Sequence, residues 1–99
     1  MSENPSPRIL VVDDDKAVRT ALKVNLGKAH QVTEVDCAEK ALKLLDSKPM
    51  DLVLTDVAMP GMGGMALMRE VREKHPEVRV VVMTGYGSVA DAVSAMKAG

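Results

Sequence analysis

Polar residues follow directly on three short apolar runs. Asp13, Asp14 and Asp15 follow Ile9-Leu10-Val11-Val12. Thr55 and Asp56 follow Leu52-Val53-Leu54, and Thr84 and Gly85 follow the run that ends at Met83. If these runs are parallel strands, the polar residues stand at their carboxyl ends along one sheet edge, where open α/β sheets bind ligands. Carboxylates gathered there repel one another and call for a cation. Mg²⁺ suits oxygen ligands, needs only one or two protein carboxylates, and fills its remaining positions with water or phosphate oxygens. A carboxylate beside such an ion can attack phosphorus and form an aspartyl phosphate. Phosphoryl transfer asks for little beyond positioning and charge neutralisation. A hydroxyl at Thr84 can donate a hydrogen bond to the transferred group.

Each of these residues also has a plainer role open to it. Asp favours helix N-termini, so Asp13-Asp14-Asp15 alone is equally well a helix start. The matching strand ends at Asp56 and Thr84 decide for a site. Asp15 itself reads as an N-cap, and Lys16 as a solvated first-turn lysine. Thr84 alone reads as a turn residue. His30 and His75 match no motif and read as surface or helix-end residues. Met59, Met62, Met65 and Met68 recur every three residues but begin in a loop, which favours packing over a binding stripe. Tyr86 borders the strand end near Thr84 or lies plainly on the surface.

The elements that must position these residues alternate. Ile9–Val12 is too short for a helix and apolar throughout, as a strand buried on both faces is. Asp14 or Asp15 then caps a helix whose stripe is Val18, Ala21, Leu22 and Leu26, with Gly27 near its end. Val32–Val35 is a more polar strand, suited to a sheet edge. Ala38, Ala41, Leu42 and Leu45 mark a second helix, closed by Pro49. Leu52–Leu54 is a central strand, and Met59–Gly64 is a loop by composition. Leu67, Met68 and Val71 mark a third helix, stopped before Pro76. Val78–Met83 is the most β-prone run. Ser88 to Asp91 has capping-box form, with Val89, Ala92, Val93 and Met96 as the stripe of a fourth helix ending near Lys97 and Gly99. The βαβαβαβα order predicts an α/β fold, a doubly wound parallel sheet with helices on both faces and three of its four strands interior. Residues 1–7, with two prolines, read as a disordered leader, and residues 8–99 as one domain.

Composition removes several classes of function. A net charge of −1 offers no basic field for nucleic acid or an acidic membrane surface. Tyr86 is the single aromatic residue, so base stacking has almost nothing to work with. Cys37 is alone, which rules out an internal disulfide, and no Cys/His spacing suggests zinc. No apolar run nears the roughly 18 to 20 residues of a membrane span, and no signal-peptide core is present. A cytoplasmic location is expected.

The segments ILVVDDD, DLVLTDVAMPGMGG and VVVMTGYGS resemble the three successive motifs of receiver domains of bacterial two-component response regulators. The resemblance runs from Arg8 to Gly99. It implies a flavodoxin-like sheet of order 2-1-3-4-5. It also implies that Asp13 and Asp14 are the acidic pair, with Asp14 a direct Mg²⁺ ligand. Asp56 is then the phosphoacceptor and a second ligand, the Ala58 backbone carbonyl the third, and Thr84 the switch hydroxyl. The implied partner is a sensor histidine kinase, and the implied response is a two-state shift around the fourth helix. Such a domain assists its own phosphorylation and dephosphorylation without being a turnover enzyme. The TGYGS stretch with AVSAMKAG is similar to receivers of nitrogen-regulation and nitrogen-fixation activators, so the expected output is transcription, with no nucleic-acid contact by this segment.

Gly63 departs from the family pattern, which has Asp there, and a change in loop stability more than in chemistry is expected. The family's fifth strand, with its Lys-Pro pair, and fifth helix have no counterpart up to Gly99, and none of the chain's lysines matches that lysine. The expectation is an open edge at the fourth strand, homodimer or oligomer formation through that strand or the fourth helix, and weakened phosphorylation. Two rivals follow: a self-associating fragment with an impaired site, and an aspartate-nucleophile phosphatase of the haloacid dehalogenase type. The latter wants Thr where Ala17 stands.

Overall fold

The computed structural model describes residues 6–83. Its strands are β1 (Arg8–Val12), β2 (Gln31–Val35), β3 (Leu52–Asp56) and β4 (Arg79–Met83). Its helices are α1 (Lys16–Leu26), α2 (Ala38–Ser47) and α3 (Gly64–Lys74). All strand pairings are parallel, in the order β2-β1-β3-β4. Among the described residues β1 and β3 are interior, and β4 pairs on one side, with β3. The expected fourth helix lies outside the described residues.

Alternation along the central strands divides the core into two layers, because successive side chains point to opposite faces. Leu10, Val12 and Val53 meet Ala38, Ala41 and Leu45 of α2 and Leu67 and Val71 of α3 on one face. Ile9, Val11 and Leu54 meet Leu22 and Leu26 of α1 on the other. Helices thus cover both faces, which is the doubly wound arrangement. Met59 and Met62 pack against the α2/α3 layer, while Met65 is exposed. His75 closes α3, its N–H on the Val71 carbonyl and its Nε2 3.1 Å from Asp46 Oδ1 of α2.

β3 runs two residues further than its apolar core predicts. Thr55 pairs with Val12 and Val82, and Asp56 with Met83, so ladder pairing carries two polar residues into the strand. Pro7 also joins the frame, its carbonyl accepting the Gln31 N–H at 2.9 Å.

At the opposite edge Asp51 sets the register of three strands. Its Oδ2 accepts the Arg8 backbone N–H at 2.7 Å, and the Arg8 guanidinium grips both carboxylate oxygens at 3.1 Å. The Asp51 N–H donates to the Arg8 carbonyl, and its own carbonyl accepts the Arg79 N–H. The Arg8 side chain, then its backbone N–H, holds the Asp51 carboxyl below the usual carboxylate range. A carboxyl depressed in the fold contributes stability above its unfolded value of about 3.9, which is lost as pH falls through the folded value. Asp51→Asn is therefore expected to melt lower at neutral pH and to lose less on acidification below about pH 4. Parallel melting curves of both proteins over pH would contradict this.

Candidate functional site

The turn from β1 into α1 is shaped by its own carboxylates. Asp13 Oδ1 accepts the Asp15 N–H at 2.8 Å, and Asp15 Oδ1 accepts the Ala17 N–H at 2.9 Å. Short acidic side chains favour such local bonds over helix interiors. Asp15 is the α1 N-cap in extended conformation, with its side chain committed to that task. Asp14 is left exposed between two structural aspartates, while Asp13 is only 3% exposed. The Asp13 N–H reaches the Val35 carbonyl of β2 at 3.2 Å.

Asp56 ends β3 beside this turn and is half-buried. One carboxylate oxygen each from Asp13, Asp14 and Asp56 fall within 4.8 Å of one another. Residues 43 and 42 positions apart in the chain are brought together because β1 and β3 are neighbours whose carboxyl ends are in register at Val12 and Thr55. Burial pushes the Asp13 carboxyl above its ordinary value, against the bond from the Asp15 N–H, and the charges of Asp56, Asp14 and Asp15 push it the same way as burial. The cluster is thus all hard oxygen donors at mutually repelling positions, a donor set that fits Mg²⁺.

The segment after Asp56 is held close. The Val57 N–H donates to the Met83 carbonyl at 3.0 Å, which ties the end of β4 beside Asp56. The chain then turns at Gly61, whose φ of 77° is the left-handed conformation that L side chains resist, and returns so that the Gly64 N–H donates to the Val57 carbonyl at 3.1 Å. Gly63 is the α3 N-cap in extended backbone and offers no side-chain cap bond, which is where the family's Asp would contribute one. Ala58 is exposed, two residues past Asp56 on this loop. Thr84, singled out from sequence, lies outside the described residues, as does Tyr86.

Three residues at this edge have contacts that the sequence does not assign to them. Thr55 is fully buried, and its Oγ1 donates to the Asp56 carbonyl at 3.1 Å. Gly64 is buried so tightly that a Cβ there would overlap the Asp56 carbonyl oxygen and lie 2.9 Å from its carbon. Arg19 reaches the Asp13 carbonyl with Nη1 at 2.7 Å and Glu34 Oε1 with Nε at 2.9 Å. Only Arg19 left a signal: with Leu22 and Leu26 it falls on the i, i+3, i+7 stripe of α1, a charged residue on the buried face.

A family model described as the response regulator receiver domain matches residues 9–99. The curated relative FleR, a response regulator protein of Pseudomonas aeruginosa, is 43% identical over 93% of this chain and 20% of its own length. The DNA-binding transcriptional regulator NtrC of Escherichia coli is 37% identical over 92% of this chain and 20% of its own length. The response regulator TrrA of Thermotoga maritima, solved in complex with Mg²⁺-BeF, superposes with a TM-score of 0.76 at 33% identity, covering 91% of this chain and 79% of that one. A complex of the histidine kinase ThkA with TrrA matches with a TM-score of 0.75 at 36% identity, covering 81% of this chain and 70% of that one.

The chain belongs to the response regulator receiver domain family. It is a receiver domain of the two-component type, and its relatives include NtrC-type transcription regulators. It spans about one fifth of the length of the curated relatives it matches. Receiver domains are signalling modules. Among the described residues no helix is long and apolar enough to cross a membrane.

Proposed function

We propose that this receiver takes a phosphoryl group onto Asp56 from a histidine kinase and passes the change to a transcriptional output. The observation that carries this is the convergence of Asp13, Asp14 and Asp56 carboxylate oxygens within 4.8 Å at one sheet edge. Asp13, Asp14, Asp56 and the Ala58 backbone carbonyl would hold Mg²⁺, which supplies charge neutralisation for the incoming phosphoryl oxygens.

The step itself belongs to Asp56. A carboxylate oxygen of Asp56 forms a bond to phosphorus as the phosphorus–nitrogen bond of the donor's phosphohistidine breaks. The electron pair leaves with the imidazole nitrogen, which takes up a proton from water, and Asp56 is left as the acyl phosphate. The Thr55 hydroxyl bonds the Asp56 carbonyl and the start of α3 packs against the same carbonyl at Gly64, which supports an Asp56 backbone set in place before the donor arrives. Thr84, next after Met83 at the end of β4, supplies the hydroxyl that turns toward the new phosphoryl charge of about −1.5 to −2. The domain assists its own phosphorylation and dephosphorylation without steady turnover. The NtrC likeness supports the transcriptional output, and the ThkA–TrrA complex supports the kinase partner.

Incubation with acetyl phosphate and Mg²⁺, read by intact mass, tests this. The expected result is the gain of one phosphoryl group, lost on adding a chelator and absent in Asp56→Asn. A gain that persists in Asp56→Asn would remove Asp56 from the role.

A further inference from the structure

Arg19 is a charged side chain packed on the buried face of a helix, with only 14% of its side chain exposed. A guanidinium in that position is expected to find partners that satisfy its fixed fork. It has two on different elements. Nη1 donates to the backbone carbonyl of Asp13 at 2.7 Å, and Nε donates to Glu34 Oε1 of β2 at 2.9 Å. Lys23, one turn further along α1, stands 3.9 Å from the other Glu34 oxygen. The bond to Asp13 lands on the peptide that joins Asp13 to Asp14. On its other side the Asp13 N–H is held by the Val35 carbonyl, the residue after Glu34. The orientation of this peptide determines where both the buried Asp13 and the exposed Asp14 carboxylates point.

We propose that Arg19 is a positioning residue for the acidic pair: it clamps the Asp13–Asp14 peptide to β2 through Glu34 and so pre-sets the two carboxylates for a divalent cation. This rests on the Mg²⁺ reading of the cluster given above. The clamp acts by geometry and not by charge. Glu34 neutralises the guanidinium, and a cation beside the cluster would by itself disfavour binding of a second cation. The two accounts therefore differ in sign. If Arg19 acted by charge, its removal would tighten Mg²⁺ binding. If it acts as a clamp, its removal loosens the carboxylates and weakens binding, as loss of a group that orients metal ligands generally does.

The test is calorimetric titration of Mg²⁺ into the whole chain, without phosphodonor, for wild type, Arg19→Gln and Arg19→Lys. Circular dichroism melts show that each protein titrated is folded. Arg19→Gln is expected to raise the Mg²⁺ Kd about tenfold. Arg19→Lys keeps the charge but offers a single ammonium where two acceptors need a fork, and is expected to weaken binding to an intermediate extent. It also carries the test if the glutamine variant does not fold. With acetyl phosphate, the Mg²⁺ concentration for half-maximal rate should shift in both variants, while the rate at saturating Mg²⁺ stays within about twofold of wild type, because Asp56 is not on the clamp. An unchanged or tighter Kd in a folded Arg19→Gln, or an unchanged Kd in Arg19→Lys, overturns the clamp while leaving the Mg²⁺ site standing. A wild type that gives no Mg²⁺ heat and no Mg²⁺-dependent phosphorylation overturns both.

Discussion

Gly64→Ala is expected to slow phosphorylation of Asp56 by about 100-fold, the scale of loss that a misplacement near 1 Å produces in a positioned reaction. α3 begins at Gly64 directly over the Asp56 carbonyl, and the space for a Cβ is taken by backbone. The added carbon would overlap the Asp56 oxygen and sit 2.9 Å from the Asp56 carbon and 3.1 Å from Val57 Cα. None of these is a flexible side-chain end that can swing aside. Either α3 lifts off or the end of β3 moves, and β3 carries the proposed nucleophile. Forcing atoms into a packed core costs about 1–3 kcal/mol. Alanine's better helix propensity returns up to about 1 kcal/mol, so the net is a loss. Acetyl phosphate kinetics by intact mass, with a thermal melt on the same samples, check both effects. A variant that melts and phosphorylates as wild type would show that the contact with Asp56 is not used.

Asp13→Asn is expected to melt higher than wild type without Mg²⁺, by several degrees, and to lose all stabilisation by Mg²⁺. Asp13 is buried with the Asp14 and Asp56 carboxylates close by, and burial is the first cause of its raised carboxyl value. The carboxylate oxygens lie within 4.8 Å of one another, and two like charges at that separation repel by on the order of 3 kcal/mol at an effective dielectric of about 20, before screening. Asparagine removes that repulsion and keeps an oxygen to accept the Asp15 N–H. A realised gain of roughly 1 kcal/mol corresponds to about 4–8 °C in a domain of this size. The sign with pH follows. A carboxyl raised in the fold opposes folding when ionised, and the penalty disappears as pH falls below its unfolded value of about 3.9. Wild type should therefore gain stability relative to Asp13→Asn as pH falls from 7. For wild type, Mg²⁺ at ten times its Kd would add about 1.4 kcal/mol by mass action, and the variant should gain nothing. A lower melting point for Asp13→Asn without Mg²⁺ would mean that its carboxylate is a net asset to the fold.

These two residues differ in how far they can be read from the chain alone. Asp13 was legible because its type, repeated as Asp13-Asp14 after an apolar run, has few roles at a strand end, and because Asp56 and Thr84 stand at matching ends. By composition Gly64 is one residue of the Met59–Gly64 loop, whereas in the fold it opens α3. Nothing local distinguishes a glycine that turns the chain, as Gly61 does with its positive φ, from one that makes room for a distant carbonyl, as Gly64 does. Arg19 was hidden for a similar reason. Its place on the α1 stripe signalled burial, but its acceptors are the Asp13 carbonyl across the turn and Glu34 of β2, and both depend on how α1 lies against the sheet.

The sequence by itself determined the alternation of strands and helices, the parallel sheet, the receiver family and the identity of the acidic residues at the edge. Each of these depends on periodicity or on residue type beside an apolar run, which are properties of neighbours in the chain. Tertiary structure alone decided that β3 extends through Thr55 and Asp56, that Asp13 is buried while Asp14 is exposed, that Asp51 sets the register of three strands, that Gly64 packs against the Asp56 carbonyl, and that Arg19 bonds the Asp13 carbonyl and Glu34. Those depend on ladder pairing and on the packing of α1 and α3 against the sheet, where the partners are backbone carbonyls or side chains far away in the chain, such as Glu34 for Arg19 and Arg8 for Asp51, which no local pattern picks out.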